Sequence, residues 1–409
     1  MRILESGEAG DLLARRGARM AEAEAVVRPI LEAVRERGDA AVFEYSRRFD
    51  GIEARDHTVS TAGAAGRLSP EVRAAIETAA AHVRAYAEWQ MPREWAREMA
   101  PGLRLGQIVR PLEAVAAYIP SGRYPLPSTV VMTVVPAQVA GVPRVCIASP
   151  RPAREVLGTA ELLGVDRVFR IGGAQAIAAF AFGTETVPRA DRIVGPGNIY
   201  VAAAKKLLAG EVGIDFVAGP TEILMVAADG EPRHLAADML AQAEHDVDAS
   251  AVLLTTSRRL AEAVAAEVER QLALLPTAEV ARQAIERNSA AVIVDSLDAA
   301  IDLANRFAPE HLSIPDAALL AKVKHAGSVF VGPFSPEAAG DYASGPNHVL
   351  PTGGAARVRG GLSVLDYVKV ISVQELTLGA LAGLAPAITA LARAEGLEAH
   401  ARSVEERIP

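Results

Sequence analysis

The stretch VCIASPRPAREVLGTAELLGVDRVFRIGGAQAIAAFAFG, residues 145–183, decides the fold. Two short apolar runs, VCIAS and RVFRIGG, alternate in it with two longer segments of helical character, PAREVLGTAELLG and AQAIAAFAFG. Strands that alternate with helices along a chain are typical of βαβ units, in which the strands lie parallel. The stretch therefore predicts a parallel sheet covered by helices.

The same alternation returns after residue 220. EILMVA precedes a predicted helix at 231–243, AVLLTT precedes another at 257–274, and the apolar runs AAVIV and GSVFVG follow. The first hundred residues and the tail from about residue 362 have apolar positions at helical spacing, and Ser69-Pro70 predicts a cap and first turn. The sequence therefore predicts an α/β protein with two parallel-sheet units and helical ends.

The composition of the chain limits the classes of function that this protein can have. The 409 residues, 50% hydrophobic and 22% charged, are enough for two or three packed domains. A net charge of −8 without a Lys/Arg stripe argues against a nucleic-acid partner. The N-terminus lacks the apolar core of a secretory signal, which predicts a cytoplasmic protein. The apolar segment at 376–392 contains Pro386 and is shorter than the roughly 20 residues of a membrane span, so we expect a packed helix there.

Cys146 is the only cysteine, which excludes an internal disulfide framework and a thiolate metal cluster. It lies within the apolar run VCIA, which predicts a buried strand. Apolar burial raises the pKa of a thiol and lowers its reactivity. We therefore expect Cys146 to be structural and not a nucleophile.

Two glycine-rich turns lie where a predicted strand meets a predicted helix, RIGGAQAIAAF at 170–180 and RIVGPGNIYVAAAKK at 192–206. Helix N-termini at such turns bind anions, but neither turn has the G-x-G-x-x-G spacing of a dinucleotide fingerprint. Nucleotide binding and simple tight turns both stay open as interpretations. Gln175 and Asn198 follow the glycines at the helix starts, and Tyr118 ends a strand before a proline-rich loop, which favours a ligand site.

Four histidines have chemically useful neighbours. His245 follows Gln242 by three positions, so both can project from one helical edge. Imidazole nitrogen and amide oxygen are acceptable ligands for zinc. Glu310 directly precedes His311, and a carboxylate with an imidazole can activate water and move protons near neutral pH. The adjacent pair predicts a site outside a regular helix.

The remaining two histidines lie near other acids. Asp341 precedes His348 by seven positions in AAGDYASGPNHVLPTGG, a stretch rich in small residues that is more typical of a shaped site than of a solvent loop. Glu395 and His400 lie in the predicted C-terminal helix. Together with Gln242 and His245, Asp341 and His400 would supply nitrogen and oxygen ligands to a zinc ion, although their spacing does not show that they meet.

The sequence resembles the histidinol dehydrogenase family. The resemblance runs through GGAQAIAA, GPGNIYVAAAKK, GIDFVAGPTEILMVAADGEPRHLAADMLAQAEHD, FAPEHLSI, AGDYASGPNHVLPTGG and AEGLEAHA, and so covers nearly the whole chain. It implies two incomplete Rossmann-like domains, one inserted in the other, with helical extensions. The expected parts are residues 1–117, a helical region and the start of the first domain; 118–224, the inserted domain with NAD contacts; 225–361, the remainder of the first domain; and 362–409, a tail that reaches a partner subunit.

The resemblance also implies a homodimer with shared active sites and one zinc ion per subunit. It assigns the zinc ligands, the NAD contacts, the acid/base pair and the substrate contacts. These are, for zinc, Gln242, His245, Asp341 and, from the other subunit, His400; for NAD, Tyr118, Gln175 and Asn198; for catalysis, Glu310 and His311; and for substrate, Thr221, Glu395, His311 and the zinc ligands.

The implied reaction oxidises L-histidinol to L-histidine by two hydride transfers to two NAD molecules, with L-histidinal between them. His311 would take the alcohol proton, Glu310 would activate water, and zinc would position the substrate. Two alternatives remain from the sequence alone. One is a related NAD-dependent dehydrogenase of a small polyol or sulfonated diol, and the other is a scaffold or NAD-sensing module without catalysis.

Overall fold

In a computed structural model of the chain, the described residues form two six-stranded sheets and one three-stranded antiparallel sheet. The structure describes residues 1–13, 18–53, 57–122 and 124–409. Helices cover both faces of each six-stranded sheet. This confirms the predicted α/β class with parallel sheets.

The strands are short, and each of the central ones is buried. In chain order they are β1 (Arg2–Glu5), β2 (Thr58–Ser60), β3 (Trp95–Ala100), β4 (Leu103–Pro111), β5 (Ala114–Tyr118), β6 (Arg144–Ala148), β7 (Arg167–Phe169), β8 (Arg192–Val194), β9 (Gly213–Ile214), β10 (Glu222–Ala227), β11 (Ser250–Thr255), β12 (Ala290–Ile293), β13 (His311–Ile314), β14 (Ser328–Val331) and β15 (Val368–Leu376).

The helices connect these strands, and α15 is the last element of the chain. In chain order they are α1 (Gly10–Leu13), α2 (Ala18–Arg37), α3 (Asp39–Tyr45), α4 (Pro70–Gln90), α5 (Pro127–Ala140), α6 (Arg154–Leu162), α7 (Gly173–Phe182), α8 (Ile199–Leu208), α9 (Pro232–Ala243), α10 (Arg258–Leu272), α11 (Ala278–Asn288), α12 (Leu297–Phe307), α13 (Glu337–Tyr342), α14 (Leu378–Ala394) and α15 (Glu398–Glu405).

The first sheet has the strand order β1-β12-β11-β10-β13-β14, and all its pairs are parallel. Strand β10 shows why its sequence is a continuous apolar run. Ile223 and Met225 pack against helices α9 and α10 on one face, whereas Leu224 and Val226 pack against α12 on the other. A parallel strand that is covered on both faces needs apolar side chains at every position.

The second sheet has the order β2-β7-β6-β5-β8-β9, with β2 as an antiparallel edge strand. Strands β6 and β7 lie on one side of β5, and β8 and β9 lie on the other. In open α/β sheets, ligands bind beyond the carboxyl ends of the strands where the order reverses in this way. The reversal at β5 therefore marks the crevice beside Tyr118 and Gly195.

Most predicted elements are confirmed, including the Ser69 side chain that accepts from the backbone of Val72 at the start of α4. Both ends of the chain contain strands that the helical periodicity did not predict. Strand β1 pairs with β12, almost 290 residues later, and β15 pairs with β4. These pairings join distant segments, so the local sequence pattern does not reveal them. Strands β5 and β10 also extend across the boundaries predicted at 117/118 and 224/225.

Helix α14 differs from the packed helix that we expected. It contains Pro386, yet only Ala392 is buried, and Leu378 and Leu391 are exposed. The adjacent strand β15 exposes Val370, among other apolar residues. Among the described residues, no helix is long and apolar enough to cross a membrane. The apolar surface of β15 and α14 is therefore uncovered within one chain.

Helix α5 packs on one face of the second sheet and contains Pro136 in its interior. Because proline has no N–H, the carbonyl of Met132 loses its helical partner. The side-chain amide of Asn347 donates to this carbonyl at 2.6 Å, and the hydroxyl of Tyr367 donates to the neighbouring carbonyl of Thr133 at 2.9 Å. The α5 core is thus tied to the segment around residues 341–348.

We predict that Asn347→Ala lowers the free energy of unfolding by about 1–3 kcal/mol, because the buried Met132 carbonyl loses its donor. In the double variant Pro136→Ala/Asn347→Ala, the new N–H at position 136 can donate to that carbonyl. Urea unfolding of the four proteins of this cycle measures the coupling. The hydrogen bond that the Val349 backbone N–H donates to Asn347 Oδ1 is lost in both Asn347 variants, so it cancels in the cycle. Strictly additive effects would therefore contradict the role of Asn347 as the donor to the Met132 carbonyl.

Candidate active site

A cluster of polar side chains lies at the amino-terminal ends of β10 and β13. These strands are parallel neighbours in which Ile223 pairs with His311. The pairing brings Thr221, just before β10, beside Glu310, just before β13. Glu310 and His311 lie at the start of a strand and not within a helix. Both side chains can therefore take part in one site.

Glu310 is buried and held by two donors. The hydroxyl of Thr221 donates to its Oε2 at 2.6 Å, and the backbone N–H of Glu222 donates to the same oxygen at 2.9 Å. Burial raises the pKa of Glu310, while the hydrogen bonds and the nearby imidazole of His311 oppose that rise. The arrangement fixes the carboxylate in one orientation.

The imidazole of His311 is buried among three carboxylates. Its Nδ1 lies 3.6 Å from Glu337 Oε1 and 3.7 Å from Glu310 Oε2, and its Nε2 lies 3.7 Å from Asp341 Oδ1. Burial disfavours the imidazolium, but the carboxylates of Glu337, Glu310 and Asp341 outweigh it and raise the pKa of His311 to about 10. The site strongly stabilises a proton on this ring.

Glu337 is a member of this cluster that the sequence analysis missed. It is 2% exposed, and burial raises its pKa to about 8. It precedes Asp341 by four positions on α13, so both carboxylates lie on one face of the helix. The four-residue spacing between Glu337 and Asp341 was the signal in the sequence that could have identified Glu337 as a site residue.

The amide of Gln242 lies between Thr221 and Glu337. With its nitrogen toward Glu337, it donates to both carboxylate oxygens, and its oxygen accepts from the Glu222 backbone at 3.1 Å. The same oxygen lies 2.5 Å from Thr221 Oγ1, so it competes with Glu310 Oε2 for the one hydroxyl proton of Thr221. This orientation satisfies every polar atom of the amide, whereas the opposite one sets two acceptors against each other. As a metal ligand, Gln242 would have to turn its oxygen toward the carboxylates.

His245, Glu337 and Asp341 offer ligand atoms that all lie within 4.8 Å of one another. His245 Nε2 and Asp341 Oδ2 are 3.9 Å apart, close to the roughly 3.3 Å between two ligands of a tetrahedral zinc ion. The side chain of His348 is partly buried and its Nδ1 lies 2.8 Å from the Asp341 carbonyl, which steadies this segment. A nitrogen and oxygen donor set of this kind fits a divalent metal such as zinc.

The three residues expected at the dinucleotide occupy one edge of the second sheet. Tyr118 ends β5, and its hydroxyl accepts from the Gly173 backbone at 3.1 Å. Burial raises the pKa of Tyr118 to about 12, so the hydroxyl stays protonated. Gln175 is buried in the first turn of α7, whereas Asn198 caps α8 by accepting from Tyr200 and Val201.

Contacts between the two sheets bring both regions together. The hydroxyl of Tyr124, in the proline-rich loop, lies 3.4 Å from the Glu244 carbonyl, one residue before His245. Thr129 Oγ1, in the first turn of α5, lies 3.3 Å from His348 Nε2. The amino-terminal edge of the first sheet therefore faces the carboxyl-terminal edge of the second.

The structure does not bring Glu395 and His400 into this cluster. Glu395 ends α14 and His400 lies in α15, and both side chains are exposed. Among the described contacts, His400 is joined only to Leu397 and Ser403 of its own turn. Their predicted roles therefore depend on a second subunit.

Comparisons with known proteins identify the family of this chain. A family model described as histidinol dehydrogenase matches residues 13–408. The histidinol dehydrogenase of Geobacter sulfurreducens is 48% identical over 95% of this chain and 94% of its own length. That of Natronomonas pharaonis is 48% identical over 98% of this chain and 97% of its own length.

A solved structure shows the same fold over the whole chain. The crystal structure of histidinol dehydrogenase from Elizabethkingia anophelis has a TM-score of 0.93 and 36% sequence identity, and the match covers 100% of this chain and 98% of that one. Sequence and structure thus agree from end to end. The chain belongs to the histidinol dehydrogenase family.

Proposed function

We propose that this protein oxidises L-histidinol to L-histidine through L-histidinal, with two NAD molecules and one water, as a zinc-dependent homodimer in the cytoplasm. Membership of the family makes the chain an oxidoreductase of histidine biosynthesis. The observation that carries the finer proposal is the buried pair Glu310 and His311, fixed beside Thr221 and the His245–Asp341 group.

His311 is proposed to accept the proton of the substrate alcohol as the first hydride leaves for NAD. Its Nδ1 lies near the Glu222 carbonyl. A zinc ion on Asp341 would offset one of the carboxylates that raise the pKa of His311, so that the ring would enter the reaction neutral and accept the proton at Nε2, which has no hydrogen-bond partner among the described residues. The carboxylates around the ring stabilise the imidazolium that forms.

Glu310 is proposed to activate the water that hydrates L-histidinal. In the described part of the chain, its hydrogen bonds go to Oε2, which leaves Oε1 to accept from a water. Because burial raises the pKa of this carboxyl, it is a stronger base than a solvent-exposed glutamate. Oxidation of the hydrate by a second NAD then yields the carboxylate of L-histidine.

The proposed zinc ligands are Gln242, His245, Asp341 and His400 of the partner subunit. When bound, zinc would anchor the imidazole and amine nitrogens of L-histidinol. Thr221 and Glu395 are proposed to contact the substrate. Since Gln242 donates to Glu337 in this structure, its role as a ligand includes a rotation of its amide.

Tyr118, Gln175 and Asn198 are proposed to contact NAD. They lie at the carboxyl-terminal edge of the second sheet, next to the point where the strand order reverses. Dinucleotides bind at this position in other open α/β sheets. The adjacent amino-terminal edge of the first sheet would then hold the substrate within reach of hydride transfer.

The exposed surface of β15 and α14 supports the proposed dimer. Residues such as Leu378 and Leu391, 53% and 66% exposed, form part of a long apolar surface. Exposed apolar patches of this kind mark protein–protein contacts. The same tail carries His400 and Glu395, so its docking on a second copy would deliver both side chains to the partner's site.

We predict that the purified enzyme releases two NADH per L-histidinol when the substrate is limiting. We expect activity to disappear after chelation and to return on addition of zinc, and NADH absorbance measures both. One NADH would mean that oxidation stops at the aldehyde. No NADH would favour a related enzyme with another alcohol substrate or a module without catalysis.

We predict that Glu310→Gln lowers kcat about 10²- to 10⁴-fold for oxidation of L-histidinal, because the amide cannot take a proton from water. Oxidation of L-histidinol to the aldehyde should be less affected, so L-histidinal should accumulate. Glu286→Gln, an exposed carboxylate of α11, is the matched control. Equal losses in both half-reactions would contradict a role limited to water activation.

We predict that co-expressed His245→Asn and His400→Asn subunits regain activity that neither variant has alone. If each site combines residues of two subunits, a mixed dimer contains one intact site, so random pairing gives about a quarter of wild-type activity. Zinc content measured on the same samples should recover in parallel. A mixture that stays inactive would mean that His400 serves its own chain.

A further inference from the structure

An acidic side chain that the proposed function does not use lies at the dinucleotide edge of the second sheet. Asp50 ends a π-helical turn, Ser46–Asp50, and Gly51 follows it in the left-handed conformation with φ +65°. Such turns occur frequently at functional sites. The turn directs the Asp50 carboxylate toward the start of α7, where the side-chain amide of Gln175 donates to its Oδ2 at 3.1 Å.

The carboxylate lies directly against the glycine turn that precedes α7. A Cβ atom added at Gly172 would lie 3.2 Å from Asp50 Oδ1 and 2.7 Å from the ring of Pro150. The next residue, Gly173, donates its N–H to the hydroxyl of Tyr118. Asp50 thus forms a continuous polar edge with two of the three proposed NAD contacts, Gln175 and Tyr118.

Among the described residues, the carboxyl group of Asp50 meets one side-chain hydrogen-bond donor and has acceptor positions left for a ligand. Burial raises the pKa of its carboxyl, and the charge of Arg151 and the Gln175 amide oppose that rise. An ionised carboxylate has about four acceptor positions, of which the Gln175 amide occupies one. A hydroxyl-bearing ligand can therefore be held there, whereas an anionic one would be repelled.

The position of Asp50 relative to the strands indicates which part of the dinucleotide it would meet. It packs over Gly172, next to Pro150, at the carboxyl ends of β7 and β6. These strands lie on the side of β5 that corresponds to the adenosine half in doubly wound dinucleotide-binding folds. There an acidic residue accepts a hydrogen bond from the ribose 2′-hydroxyl of NAD, the position that carries a phosphate in NADP.

We infer that Asp50 is the residue that selects NAD over NADP, by accepting the adenosine ribose hydroxyl and repelling a 2′-phosphate. Gln175 holds the carboxylate in place. This inference rests on the proposed use of a nicotinamide dinucleotide, and it adds a residue that lies outside the sheet and outside any glycine fingerprint.

The test measures kcat/KM for NAD and NADP with L-histidinol, and equilibrium binding of both dinucleotides, in the wild-type enzyme and in Asp50→Asn. Asparagine keeps the size of the side chain and removes its charge. We expect the NADP-to-NAD ratio to rise at least about tenfold. Asp50→Ser, which also frees space beside Arg151, should raise it further.

Glu53→Gln is the matched control. Glu53 lies three positions after Asp50, and its exposed carboxylate pairs with Arg47, so the variant removes the same charge away from the proposed contact. Its ratio should equal that of the wild type. Unchanged ratios in both Asp50 variants, with a wild-type enzyme that uses NAD, would overturn the inference and leave the proposed function intact. A wild-type protein that binds neither dinucleotide would overturn both.

Discussion

Two buried carboxylates, Glu310 and Glu337, and the partly buried Asp341 surround the buried imidazole of His311, and the rest of the site depends on how this charge is held. Burial of a carboxylate costs free energy unless donors or cations compensate it. The Thr221 hydroxyl, the Glu222 N–H and the Gln242 amide supply donors, and the imidazole supplies one positive charge. Burial without enough compensating cations raises the pKa of Glu337, and a divalent metal between His245 and Asp341 would add positive charge that the imidazole alone does not supply.

The location of this cluster follows from the path of the chain. Parallel sheets usually hold ligands at the carboxyl ends of their strands. Here the chain returns from the second sheet directly into β10, so the amino-terminal end of that strand is where the two sheets meet. The first sheet contributes its amino-terminal edge and the second its carboxyl-terminal edge. Contacts of α5 with the segment around Asn347 and His348 fix the two edges together.

The sequence predicts the parts of this arrangement that depend on local pattern. The alternating strands and helices, the placement of Gln242 and His245 at one helix end, and Glu310 beside His311 at a strand start are all local. Glu337 was missed because α13 has only six residues, too few for a clear helical period, although its spacing to Asp341 is i,i+4. The pairing of β1 with β12 and of β15 with β4 joins segments far apart in sequence, and the exposed face of α14 has meaning only beside a second chain.

The absence of a G-x-G-x-x-G fingerprint becomes understandable from the same geometry. In the usual fold the acid that reads the ribose is carried by a neighbouring strand of the sheet. Here Asp50 comes from a turn in the amino-terminal helical region and reaches the glycine turn from outside. Gly172 and Gly173 are adjacent because the first leaves room for Asp50 and Pro150, while the second, with φ +57°, donates its N–H to Tyr118. The turn thus accommodates the Asp50 side chain, which is the structural reason that its two glycines are adjacent.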